Sequence, residues 1–251
     1  MSDLLALPPG LAAFAVLACF LAGAVRGFAG FGLSALAMAM LAAFVPPIQL
    51  IPSFWFLEMA ASLVLMRGGW ADADRRTALT LMIGAGLGLP LGLAVSLSLD
   101  PVVSKTAALV LLIVLALMQV SRLRLPALAT RTGTAATGLS AGIITGIAGA
   151  GGMLIALYAL ARDIPARRMR GTLNIYLLGG GVLGLLVHLL VGTMTSEAAT
   201  RGLVLVAPTL AGVFVGKALF TPRWERWYRP ACLLLLIGLA TSGLLRLALA
   251  G

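Results

Sequence analysis

Two charged residues stand inside apolar stretches of this chain. Arg26 lies within residues 10–44, and Glu58 lies midway along 48–66. A charge at the centre of such a segment costs at least ~2.5–3.5 kcal/mol on insertion scales, so it faces a cavity or a partner. The planar fork of arginine fits the oxygens of a carboxylate or a similar oxyanion two at a time. Arg26 is therefore a candidate for anion contact, with snorkelling or pairing to Glu58 as the plainer alternatives. Glu58 is a candidate proton carrier or the partner of Arg26.

A second group of candidates carries no charge. Residues 22–32 read AGAVRGFAGFG and residues 141–151 read AGIITGIAGAG. At an offset of 119, Gly23, Gly27, Gly30 and Gly32 meet Gly142, Gly146, Gly149 and Gly151, and Pro46 meets Pro165. If each glycine run breaks a helix, a new arm starts near Gly30–Ser34 and near Gly149–Met153. A helix N-terminus offers unpaired N–H groups and about half a positive charge. Two such ends facing each other make an anion site without a formal cation, and glycine lets the anion reach the backbone. Gly30, Gly32, Ser34, Gly149, Gly151 and Gly152 are the substrate-binding candidates. Gly23–Gly27 and Gly142–Gly146 have GxxxG spacing and read as packing positions.

Neutral donors complete the set. Thr172 and Asn174 lie in the segment that matches Ser53 and Trp55 at the same offset, and both can bind anion oxygens or hydrogen-bond between helices. Gln119 and His188 are weaker candidates. One histidine and two distant cysteines give no multi-histidine metal site, so no metal or cofactor is expected. HExxH and Walker A motifs are missing from the sequence, and its GxSxG string, GLSAG at 138–142, lies inside a charge-free apolar stretch and not at a strand-to-helix elbow, which argues against an enzyme and against ATP-driven transport by this chain alone.

The elements that position these residues follow from composition. Hydrophobic residues make up 61% of the chain and charged residues 10%, and the mean hydropathy is +1.09. A water-soluble domain carries about 25% charged residues, so this chain belongs in a bilayer. Its net charge of +10 sits in short loops and not on a stripe interleaved with aromatics, so no nucleic-acid partner is expected. Cys19 and Cys232 read as small core residues. The first ten residues lack a basic n-region, so the first segment is expected to remain in the mature protein.

Six stretches suit a single crossing: 48–66, 78–99, 104–121, 171–191, 202–220 and 231–248. Residues 10–44 and 132–161 are too long for one crossing and too short for two. A break at the glycines leaves arms of roughly 15 residues, as in a re-entrant hairpin. Four loops, 67–76, 122–131, 162–170 and 217–229, hold fourteen of the eighteen basic residues. If all four are cytoplasmic, both long stretches begin and end on one side. The expected fold is an all-α membrane protein of two inverted repeats, 1–125 and 126–251, in one integral domain. Each repeat is a glycine-broken re-entrant hairpin followed by three transmembrane helices. Both termini are then periplasmic, and Trp224, Trp227 and Tyr228 form an interfacial belt.

The paired hairpins, Pro46 and Pro165, and the GTLN of 171–174 resemble the TauE/SafE family of sulfite and sulfonate exporters over nearly the whole chain. The resemblance implies a multi-pass carrier in the bacterial inner membrane for a small anion, sulfite or a short organosulfonate such as sulfoacetate. It also favours Asn174 as a binding residue. Arg26 with Glu58 looks like a subgroup feature, because many relatives carry a neutral residue at the Arg26 position. An anion channel and a non-transporting membrane assembly subunit are the alternatives, and a homodimer stays open.

Overall fold

In the computed structural model, which describes residues 5, 7–66, 73–121, 130–162, 164–219 and 222–250, ten helices form and no strand is present among the described residues. They are α1 (Pro9–Ala29), α2 (Leu33–Leu41), α3 (Pro47–Leu65), α4 (Arg75–Ser98), α5 (Pro101–Val120), α6 (Arg131–Ala148), α7 (Gly151–Ala161), α8 (Ala166–Val191), α9 (Ser196–Ala218) and α10 (Pro222–Ala250). Seven of these contain a stretch long and apolar enough to cross a membrane: Pro9–Ala29, Pro47–Leu65, Arg75–Ser98, Pro101–Val120, Gly171–Val191, Ser196–Ala218 and Pro230–Leu249. Arg67, Arg122 and Arg124 of the basic loops, and the side chains of Trp224, Trp227 and Tyr228, lie outside the described residues.

Local chemistry sets the helix ends. Pro46 and Pro165 take the same conformation, φ −57°, ψ 139° and φ −54°, ψ 140°, and each precedes the first turn of its helix, α3 or α8. Asp74, Asp100, Thr130 and Thr195 cap α4, α5, α6 and α9 by accepting a backbone N–H from inside the first turn. Both long stretches break at the glycines. Gly30 (φ 83°) ends α1 and Gly149 (φ 65°) ends α6 in the left-handed region, and each N–H donates four residues back, to Arg26 O and Thr145 O. The arms are unequal, 21 and 9 residues around the first break and 18 and 11 around the second, where roughly 15 each was expected. The glycine positions place the break, and neither falls at the midpoint of its apolar stretch. At ~31 Å, α1 by itself matches the hydrocarbon thickness.

The longest helix contacts join the two halves crosswise, α1 to α9 and α4 to α6. Both are glycine seams. A Cβ on Gly23 would stand under 3.0 Å from Thr209 O, and one on Gly142 under 3.0 Å from Ala85 O. Thr209 and Ala85 are themselves a matched pair at an offset of 124, the offset that relates Gly88 and Gly92 to Gly212 and Gly216. Those four glycines meet Leu139 O, Ile143 O, Phe20 O and Ala24 O in turn. While α4 turns its glycines inward, it turns Leu79, Ile83, Leu87 and Leu91 outward, all exposed. This apolar outer face is what lipid requires and water forbids.

Candidate functional site

The two glycine breaks meet. A Cβ on Gly149 would lie 3.7 Å from Ser34 Cβ and 3.4 Å from Met38 Cε. Beside this contact is a cavity of about 120 Å³, walled by Ser34, Glu58, Thr145, Gly149, Gly151 and Gly152, and also by Trp55, Tyr176, Leu177 and His188. Gly151 and Gly152 are the first residues of α7, so the N-terminus of that helix opens onto the cavity. The two breaks differ in detail. Gly32 (φ 91°) precedes α2 in the left-handed region, whereas its match Gly151 is helical and is needed for closeness: a Cβ there would collide with Thr145 Oγ1.

Arg26 is fully buried behind this wall and does not line the cavity. Its Nε faces Glu58 Oε2 at 3.3 Å. One terminal nitrogen donates to Gly30 O. The other donates to Ser62 Oγ at 3.0 Å and Asn174 Oδ1 at 3.4 Å. Arg26 therefore ties the broken end of α1 to α3 and α8. Glu58 Oε1 accepts from Ser34 twice, from its N–H at 3.2 Å and its hydroxyl at 2.8 Å. A carboxylate thus sits on the N-terminus of α2.

Of the residues singled out from sequence, Ser34, Glu58, Gly149, Gly151 and Gly152 come together on the cavity wall. Arg26, Gly30 and Asn174 form the layer behind it. Gly32 stands apart, facing a separate gap of about 20 Å³ between Val25 and Leu233. The hydroxyl of Thr172 accepts the N–H of Asp74 at 3.0 Å, away from the cavity. Gln119 donates to Met153 O at 3.0 Å, and His188 Nδ1 pairs with Thr193 Oγ1 at 2.8 Å. Thr145 and Ser62 were not anticipated, although Thr145 is the residue that matches Arg26 at an offset of 119.

Matched residues make matched bonds. Asn174 Nδ2 donates to Ser62 O at 3.2 Å, and Trp55 Nε1 donates to Gly181 O at 2.7 Å. Both donors and both acceptors are 119 apart. Likewise Ser53 Oγ donates to Ala198 O at 2.9 Å, while its match Thr172 accepts from Asp74, which matches Ala198 at 124. Arg168 adds an ion pair to Asp74 at 3.3 Å. Burial alone would raise the Asp74 carboxyl, but hydrogen bonds from Thr77 and the charges of Arg168 and Arg162 outweigh it and hold the group below its ordinary value. The cavity takes in Tyr176 to His188 along α8, and the Asp74 cluster lies against the other end of that helix.

The sequence profile of the family described as Sulfite exporter TauE/SafE matches residues 15–242. No curated protein and no solved structure matches the chain.

Proposed function

The chain belongs to the sulfite exporter TauE/SafE family, and on that premise we propose that it is a secondary transporter of a small anion. The anion is sulfite or a short organosulfonate such as sulfoacetate, held between the two hairpin tips and carried across the bacterial inner membrane by alternating access. The observation that carries this reading is the opening of the α7 N-terminus, at Gly151 and Gly152, onto a cavity that also touches Ser34. A cavity needs ~10–15 Å³ to hold one water, so about 120 Å³ leaves room for a small oxyanion with a short tail. The N–H groups of Gly151 and Gly152 hold the oxygens, Gly149 and Thr145 wall the space beside them, and Arg26 lends positive charge from behind.

The matched contacts support inverted repeats. On that arrangement Ser53–Ala198 and Thr172–Asp74 lie at opposite faces and act as the two closures. The cavity extends away from the Asp74 cluster, which corresponds to a state closed on the arginine-rich side. The two re-entrant hairpins form the fixed site between the closures.

Counterflow in proteoliposomes tests this, with sulfite, sulfoacetate, sulfate and small carboxylates offered in turn. A carrier gives saturable exchange accelerated by anion on the far side. Flux that neither saturates nor shows counterflow makes the protein a channel, and no flux of any anion leaves it an assembly subunit.

A further inference from the structure

Glu58 is itself an anion, seated where an anion would bind. Oε1 takes both donors of Ser34, and Oε2 makes no hydrogen bond and faces Arg26. Ser34 is the second residue of α2, so its N–H is one that the helix leaves without an internal acceptor. The second tip has no such occupant. At an offset of 119, Leu177 replaces Glu58, Thr145 replaces Arg26 and Met153 replaces Ser34. Among the described residues, Glu58 is the only acidic side chain on the cavity wall.

Charge counting gives this a consequence. Arg26 and Glu58 sum to zero when the cavity holds no ligand. A monovalent anion beside them leaves one uncompensated negative charge in a medium of low dielectric, where like charges repel strongly. A proton on Glu58 removes that charge. It also weakens the carboxyl as an acceptor, which frees the Ser34 donors and the Arg26 charge for the incoming oxygens.

We infer that Glu58 is a tethered competitor of the transported anion, released by protonation, so that one proton moves with each monovalent anion. The inference rests on the anion site proposed above. On binding, the ionised carboxylate takes up a proton from the solvent that supplies the anion. On release the proton leaves with the anion, and no net charge crosses.

The surroundings single out this group. Facing it are Arg26 from α1, Ser34 from α2 and Tyr176 from α8. The cavity wall takes only neutral side chains from α4, α6 and α7. Among the described residues the wall carries two other titratable groups: the Tyr176 phenol, and His188, which lies twelve residues further along α8, about 18 Å along the helix, and is held by Thr193.

The test uses purified full-length protein with two probes, methanesulfonate and sulfite. Methanesulfonate stays ionised throughout, so any proton taken up belongs to the protein. A pH dye in weak buffer should record about one proton per methanesulfonate bound. Affinity should fall by about tenfold per pH unit once Glu58 is ionised. Glu58→Gln should bind without proton uptake, with an affinity independent of pH, and Glu58→Asp should keep the uptake. Wild-type binding with a flat pH profile and no proton uptake overturns the inference and leaves the anion site standing. Failure of wild type and both variants to bind either probe overturns both. If Glu58→Gln does not fold, the wild-type pH profile and Glu58→Asp decide.

Discussion

Arg26 Nε and Glu58 Oε2 form an ion pair at 3.3 Å, with the arginine side chain 1% exposed and the glutamate 19%. The arginine is the more deeply buried partner and spends its remaining donors on Gly30 O, Ser62 and Asn174. It is held by the fold on every side. Glu58 is the partner that lines the cavity. The arginine fixes where positive charge sits, and the glutamate stands against it at the cavity wall.

Arg26→Ala is expected to abolish most transport and to destabilise the protein. Removing one member of a buried pair costs about 3–5 kcal/mol when the other stays charged. Arg26→Lys should recover stability more than transport, since a point charge cannot reproduce bonds to Gly30, Ser62 and Asn174 together. Thermal unfolding and proteoliposome uptake measured side by side check this. Unchanged uptake by Arg26→Ala sinks the role.

Topology gives a second prediction. In a Cys19→Ala, Cys232→Ala background, Ala127→Cys and Arg162→Cys should react with an impermeant thiol reagent from the same side. Thr193→Cys should react from the other. Opposite accessibility of the first two overturns the hairpin and the inverted repeat at once, because α6 and α7 then cross as one.

Much of this architecture was legible before any coordinates. Each of the six stretches expected to cross once falls on a helix, with ends within a few residues, except that α8, α9 and α10 begin five, six and nine residues earlier than their apolar stretches. The left-handed breaks at Gly30 and Gly149 and the caps at Pro46 and Pro165 follow from what those residue types permit. The two offsets, 119 and 124, could be read, but their meaning could not. They relate the two sides of one contact, Gly23 on Thr209 and Gly142 on Ala85, and contact is a tertiary fact. The division of labour at the site was hidden for the same reason. Whether a glycine serves for its φ, as Gly32 does, or for its missing side chain, as Gly151 does, depends on what packs beside it. Nothing local told that Thr172 would be spent on Asp74.

That Asp74 cluster sets a pH expectation. The Asp74 carboxyl is held below its ordinary value of 3.8, so the contribution of the ionised group is fully present above that value and is lost only as pH falls through the depressed one. Closure at this end should therefore be constant from about pH 5 to 8. Asp74→Asn keeps an oxygen for Thr77 and drops the attraction to Arg168. It should raise the labelling rate of Thr145→Cys from the arginine-rich side severalfold. An unchanged rate means that Asp74 caps α4 and closes nothing.

The glycines separate binding from packing. Gly23→Ala and Gly142→Ala place a methyl against backbone carbonyls of Thr209 and Ala85, which cannot turn away, so α1–α9 or α4–α6 must part. Overpacking of this kind costs typically 1–3 kcal/mol or more, and should appear as lower thermal stability with little change in the affinity of what remains folded. Gly149→Ala mixes two effects, because its φ of 65° penalises any side chain by roughly 1–2 kcal/mol whatever lies nearby. Gly152→Ala is the clean case. Its methyl would meet only Leu177 Cδ2, at an ordinary 3.8 Å, and its backbone is helical, so the fold should hardly notice. The methyl would nevertheless stand at the open end of α7, inside the cavity, where an oxygen should lie. Gly152→Ala should keep a near wild-type melting temperature and weaken sulfite or sulfoacetate binding at least tenfold. Wild-type affinity in that variant would falsify the site at the second tip, since no loss of stability could be blamed for the result.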